Sequence, residues 1–352
     1  MNSSILKMRS LILTGVAIAL PGMALAIQDI PEESGWSGDV ILGAGYLDMK
    51  SNFVAGVKPT IDIGKESIDG INGSPESDST IHVAATGEVR YTFGDRWQAF
   101  LGNAPEDILT LDGAAQLGIR KQLDNAGILQ AGLLVTAGVV TETWEDPYQT
   151  TGNRNETDRE ANGIRLSWDK IFGSGAQVTL TARDVDIDTD NIGSEACTAD
   201  PNGTVGGDVA GCLNLLQRDG DAVSVEVAYG FNLGEGHSLR PSLKLANNDR
   251  DGDAMSGDAY ALSLTYNYVG ESNRFVVTAI GGTSEFDEDN PLYGKKADAD
   301  RVAVSGTWIR KLSVGDGGWS TFALVLWGED DSDIDFHDTE IFQAVVGAGY
   351  RF

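Results

Sequence analysis

From about residue 36 to the C-terminus, apolar side chains recur at every second position. Val223, Val225, Val227, Tyr229 and Phe231 fall on one face of an extended chain, with Ser224, Glu226, Ala228 and Gly230 on the other. The same period runs through Tyr260, Leu262, Leu264, Tyr266 and Tyr268, and through Ile81, Val83, Ala85, Gly87, Val89, Tyr91 and Phe93. Helical periodicity appears nowhere over a comparable length. The alternation predicts fourteen strands, at about 36–48, 80–93, 96–103, 111–122, 127–141, 161–170, 176–183, 220–232, 237–246, 259–269, 274–284, 301–311, 319–328 and 341–352. An even count lets an antiparallel barrel close with both ends on one side; twelve is the alternative, because 96–103 is short and the break near 104–110 weak.

The connections alternate in length. Short ones such as Gly94-Asp95-Arg96, Asp124-Asn125-Ala126 and Gly234-Glu235-Gly236 interleave with long ones at 49–79, 103–110, 142–160, 184–219, 247–258, 285–300 and 329–340. That pattern predicts an all-β transmembrane antiparallel barrel with short periplasmic turns and long extracellular loops. Aromatics sort accordingly. Trp36, Phe93, Trp97, Trp168, Phe172, Phe231, Tyr268, Phe275, Trp319 and Phe352 flank the short turns or termini, and Tyr46, Trp144, Tyr148, Tyr260, Phe286, Trp327 and Phe336 lie toward the long loops. Two such sets read as interfacial girdles.

The N-terminus changes the setting. Lys7 and Arg9, the apolar stretch Leu11–Leu20 and Ala24-Leu25-Ala26 form a signal-peptide pattern over 1–26, cut after Ala26. A periplasmic segment, 27–35, would precede one barrel over 36–352. The expected location is the outer membrane of a Gram-negative bacterium. In an oxidising compartment Cys197 and Cys212 are expected to pair, stapling the 184–219 loop.

Phe342, Ala344, Val346, Ala348, Tyr350 and Phe352 end the chain on an alternating apolar face. This resembles the terminal strand by which outer-membrane proteins engage the barrel-assembly machinery. The stretch Ile30-Pro31-Glu32-Glu33-Ser34-Gly35-Trp36-Ser37-Gly38, followed by Leu42-Gly43-Ala44-Gly45-Tyr46 and Lys50-Ser51-Asn52, resembles an uncharacterised group of Gram-negative outer-membrane proteins, domain-of-unknown-function family 2860. The resemblance implies fold and location, and brings no catalytic residues.

Charge excludes some functions and suggests others. With 53 acidic and 25 basic residues the chain carries −28, which opposes nucleic-acid binding. The seven long loops hold 38 of those acids and 9 of the bases, so the charge forms an extracellular crown over a nearly neutral barrel. If the apolar faces meet lipid, the lumen receives Glu88, Arg90, Arg120, Arg165, Arg183, Glu226, Arg240, Lys244, Arg301 and Arg351. Most of these are expected to pair with one another and stabilise the wall. Arg120, Arg165, Arg183 and Arg240 are the candidates for a field acting on solutes. The loops 49–79 and 184–219 are the candidates for constricting the mouth.

Two chemical alternatives arise in the loops. In Asp333-Ile334-Asp335-Phe336-His337, an extended chain would put Asp335 and His337 on one face, superficially like the Asp/His pair of omptin proteases, although a run of acids produces such a pair readily. His82 and His237 read as incidental. Asp184, Asp186 and Asp188, and Asp249, Asp251 and Asp253, offer oxygen ligands for weak cation binding but lack the Glu that completes an EF-hand. The expected activity is therefore passive passage of small hydrophilic solutes, without cofactor or chemistry. Membrane lipids, lipopolysaccharide and the assembly machinery are the expected partners. An occluded barrel whose loops bind cations or partners is the alternative, and a rim hydrolase the minor one.

Overall fold

The computed structural model describes residues 27–103, 114–136, 140–314 and 318–352. The expected signal peptide, the connection at 104–110 and the start of the strand expected from 111 lie outside the described residues. The strands are β1 (Gly35–Lys50), β2 (Val54–Lys58), β3 (Ile61–Asp62), β4 (Ser77–Gly94), β5 (Trp97–Asn103), β6 (Ala115–Leu123), β7 (Gly127–Val135), β8 (Val140–Trp144) and β9 (Glu156–Asp169). They continue with β10 (Ala176–Ile187), β11 (Gly220–Tyr229), β12 (Phe231–Gly234), β13 (His237–Arg250), β14 (Gly257–Val269), β15 (Asn273–Phe286), β16 (Ala299–Lys311), β17 (Trp319–Ser332) and β18 (Thr339–Arg351). Two short helices, α1 (Ala196–Ala199) and α2 (Val209–Leu215), sit between β10 and β11.

Fourteen of these strands, β1, β4–β7, β9–β11 and β13–β18, make a closed antiparallel wall. Closure comes from β1 pairing β18, from Asp39 opposite Arg351 to Lys50 opposite Glu340. Closing the sheet removes the unpaired backbone edge that a bilayer cannot solvate. The short turns fit this geometry. Asp95 and Arg96 both have positive φ, 48° and 57°, between the paired Gly94 and Trp97. A two-residue turn of that hand matches the twist of the flanking strands.

Period-two alternation decides the two faces. Leu262, Ile81, Val346 and Leu42 are 65%, 80%, 63% and 59% exposed, and belong to a continuous outward apolar surface. A belt of that extent fits hydrocarbon and would aggregate in water. The final strand follows the expected pattern: Phe342 and Val346 point outward, while Gln343 and Val345 are buried inside.

The strands run further toward the long loops than alternation indicates. β9 begins at Glu156, β13 reaches Arg250 and β17 reaches Ser332. Beyond the apolar belt the backbone ladder continues while the outward residues become acidic. Asp184 and Asp186 face out between the inward Val185 and Ile187. The segment expected as one strand over 127–141 is instead β7 and β8, both paired with β9.

The long-loop aromatics need a correction too. Tyr46 and Tyr260 are outward, but Trp144, Tyr148 and Phe336 are at most 1% exposed. Loop residues are not held to the alternation of the wall: Tyr148 and Phe336 pack into a core above it, while Trp144 ends β8 beneath the Arg154 guanidinium.

Candidate functional site: lumen and cap

Loop residues enter the barrel from the long-loop end. The hairpin β2–β3 pairs its backbone with β8, Val54 opposite Thr143 and Lys58 opposite Val140. Its Val54 and Ile61, with the following Ile63, pack on the inward Ile41, Leu47, Met49, Ala84, Phe322, Leu324, Leu326 and Val345. An apolar cluster inside a lumen is stable only when something apolar covers it, and here the hairpin does so. Arg154 anchors the same loop by donating to the carbonyl oxygens of Asn52 (3.0 Å), Pro147 (3.1 Å) and Lys65, with its guanidinium 4.4 Å from the Trp144 ring centre. Burial lowers that guanidinium to about 10.

A second core sits above the wall and joins five loops: Ile71, Tyr148, Ile192, Leu216, Leu292, Ala297, Ile334 and Phe336, with Cys197 and Cys212. The two cysteines form the expected disulfide, Cα atoms 5.9 Å apart, tying α1 to α2. The crown is thus a folded cap with most of its acids outside. Asp146 braces it by accepting from Gly193 N (2.9 Å) and Ser194 Oγ (2.9 Å).

The structure separates the Asp335–His337 pair. Residues Asp335–His337 form a single 3-10 turn, so Asp335 is exposed while His337 turns into the cap. Asn290 Nδ2 donates to Tyr148 Oη at 3.0 Å, and Tyr148 in turn reaches His337 Nε2 at 2.8 Å. A hydroxyl accepting from Asn290 donates its own proton onward, so His337 is the neutral acceptor. Burial lowers its imidazole to about 3 and raises the Tyr148 phenol. His82 is buried in the lumen beside Gln343, and His237 Nδ1 lies 2.6 Å from Tyr266 Oη.

The expected lumen residues divide between two walls. On the β4–β10 wall Arg120 donates to both oxygens of Glu88 (2.7 and 2.6 Å) and to Gln130 Oε1 (2.6 Å), and stacks 3.8 Å from the Phe100 ring centre. Arg90 pairs with Asp39 and lies 3.2 Å from Glu88. Arg165 Nε donates to Thr181 Oγ1 (3.0 Å), and Arg183 is buried near the Ala161 carbonyl. Gln98, Gln116 and Ser167 complete a wall whose inward groups are largely sealed from water.

The β11–β15 wall differs. Ser224, Glu226, Arg240, Ser242, Lys244, Ser263, Thr265 and Thr278 are all half-exposed although they point inward. Glu226 stands opposite Lys244 in the register, Arg240 donates to Gln177, and the hydroxyls pair as Ser242–Ser263 (2.7 Å) and Thr265–Thr278 (3.0 Å). Arg301 lies at the mouth against Asp330 (2.6 Å), and Arg351 is exposed at the end of β18.

The aspartate runs come side by side, with Asp184 opposite Asp221 and Asp221 opposite Asp249 across β10, β11 and β13. Asp184, Asp186, Asp188, Asp249, Asp251 and Asp253 are exposed, and no group of three His, Cys, Asp or Glu among the described residues is placed to hold a metal ion. The sequence reading missed the N-terminal strap, in which Ile30 is buried and its N–H donates to Gln122 Oε1 at 2.7 Å across the short-turn end.

The family described as "Protein of unknown function (DUF2860)" matches residues 35–351. No curated protein matches the sequence. Among solved structures, the CymD monoaromatic hydrocarbon channel is similar at a TM-score of 0.45 and 10% identity, covering 97% of this chain and 98% of that one. In-vitro folded OmpT, an outer membrane protein of Vibrio cholerae, is similar at 0.40 and 12% identity (92% and 100% covered). The outer membrane protein OprD from Pseudomonas aeruginosa is similar at 0.35 and 12% identity (96% and 98% covered).

Proposed function

The chain belongs to that family of unknown function, and from its own lumen we propose that it is an outer-membrane barrel passing small hydrophilic solutes without chemistry. One observation carries the reading: the inward polar row on β11–β15 is in contact with water along its length, from Arg240 to Lys244 on β13 and from Thr265 to Ser263 on β14. The opposite wall and the β2–β3 hairpin narrow the bore, leaving a conduit on one side. The acidic cap faces the outside and gathers cations at low ionic strength, an effect screened over about 8–10 Å near physiological salt.

Planar-bilayer recording tests this. The full chain is expected to give small, steady single-channel currents, and replacing residues 54–63 by a Gly-Ser linker is expected to raise conductance several-fold. A folded barrel that is silent in both forms contradicts it. The packed cap, which joins five loops over the mouth, favours a second reading in which the barrel is occluded and its surface loops carry the function. Silence in both forms is the result that this second reading expects.

A further inference from the structure

At the short-turn end of the open wall, one inward arginine belongs to none of the ion pairs described above. Arg274 lies at the start of β15, where Phe275 points outward and Val276 is fully buried, so alternation turns Arg274 inward on the face that also carries Thr278. Its Nε donates to Asn267 Oδ1 at 2.8 Å, and Asn267 Nδ2 donates in turn to Ser238 Oγ at 3.2 Å, which fixes the guanidinium from its stem side. The far side is bare. Nη2 is buried without a hydrogen-bond partner, and among the described residues no carboxylate makes an ion pair with Arg274. The charge that acts on it is another cation, Arg351, which stands opposite Asp39, a carboxylate already paired with Arg90. Buried polar groups are normally hydrogen-bonded and an unanswered guanidinium lowers stability, so a purely structural role does not account for this one.

We propose that Arg274 sets an anion preference at the short-turn end of the conduit, favouring small inorganic anions and solutes that carry a carboxylate or phosphate group. A guanidinium keeps its charge at any working pH, and between low-dielectric walls an uncompensated charge acts on passing ions more strongly than on an open surface. Neighbouring charges do not offset it in the same way that they offset one another: Lys244 has Glu226 opposite it in the register, and Arg90 and Arg120 share Asp39 and Glu88. The acids of the cap are too far away to cancel it. From Arg274 to Phe286 at the mouth, β15 covers roughly 40 Å at about 3.3 Å per residue, several times the screening length of about 8 Å at physiological salt.

The inference deepens the channel reading and rests on it. Its test is the reversal potential of the full chain in a planar bilayer under a potassium chloride gradient. Arg274→Gln is expected to shift the chloride-to-potassium permeability ratio toward potassium roughly threefold. Arg274→Lys keeps the charge and is expected to stay near the native ratio. Arg310 is the control, because it is exposed on the outward face of β16 directly after Ile309, the residue opposite Arg274. Arg310→Gln is expected to leave the ratio unchanged. Arg274→Cys in the disulfide-bonded chain gives a second route, since its thiol is modified after folding. A cationic methanethiosulfonate is expected to restore the native ratio, and an anionic one to move it further toward potassium. An unshifted ratio in Arg274→Gln, an equal shift in Arg310→Gln, or the same ratio after both reagents overturns the proposal. A folded but silent barrel overturns the channel reading and this inference together, whereas a conducting barrel with an unshifted ratio overturns this inference alone.

Discussion

On the β4–β10 wall the guanidiniums of Arg120 and Arg165 belong to residues only 8% and 4% exposed, whereas Arg240 and Lys244 across the lumen on β13 remain half-exposed. The same inward position on the same fold therefore leads to two environments, and side-chain length explains why. The closed wall carries Arg, Gln and Phe at neighbouring inward sites, and these reach one another: Arg120 touches Glu88, Gln130 and Phe100. The open wall places Ser224, Ser242, Ser263, Thr265 and Thr278 between its few long residues. Hydroxyls this short satisfy each other across strands and leave the bore to water. On the proposed channel reading, solutes would pass along the β11–β15 side, where small polar residues leave the long ones partly exposed.

The cap and the wall can be separated experimentally, and the largest effect is expected at the disulfide. Replacing Cys197 and Cys212 by Ser removes a closed loop, with a sequence separation of 15, which on the loop-entropy model costs on the order of 3 kcal/mol. That corresponds to a roughly hundredfold rise in local opening. Limited proteolysis within 184–219 should accelerate accordingly, while gel mobility of the barrel stays the same. Unfolding of the whole barrel would show that cap and wall are one cooperative unit.

Acid should act on the cap next. His337 binds a proton near pH 6.5 when the cap is unfolded and only near pH 3 when it is folded. The unfolded form therefore takes up more protons between those values, and cap stability is full above about pH 6.5 and falls as pH drops toward 3. The opening equilibrium at the Tyr148 and Asn290 amides, read from hydrogen exchange corrected for the intrinsic pH dependence of amide exchange, is expected to rise as pH falls through that window and to lose most of that rise in His337→Gln. An unchanged profile in that variant would assign the acid sensitivity to other groups.

The smallest effect sharpens the contrast between walls. Lys244→Glu puts a like charge opposite Glu226 in the conduit and should shift the reversal potential toward cations a few-fold in permeability ratio. Arg120→Gln, behind the closed wall, should shift it far less. Equal shifts would mean that solutes pass both walls.

Much of the barrel was legible because alternation is a direct consequence of strand geometry. The inserted hairpin was harder to see. Val54, Ile61 and Ile63 lie in a loop too broken for a periodic signal, and the residues expected to face the lumen were polar ones. One sign was present: Phe322-Ala323-Leu324-Val325-Leu326-Trp327 is apolar on both faces of β17. A transmembrane strand with an apolar inward face needs a cover inside the barrel. The ion pairing of Glu88, Arg90 and Arg120 followed from the one-face pattern, whereas the turn that splits Asp335 from His337 depends on the cap core, which draws residues from five loops distant in sequence.

The most direct measurement is the reactivity of single cysteines placed along the two walls. Each is introduced in turn into the Cys197→Ser/Cys212→Ser chain and exposed to a charged, water-soluble maleimide. Ser242→Cys and Thr265→Cys on the open wall should label at least tenfold faster than Ser167→Cys and Thr181→Cys on the closed one. Equal rates on both walls would contradict a one-sided conduit.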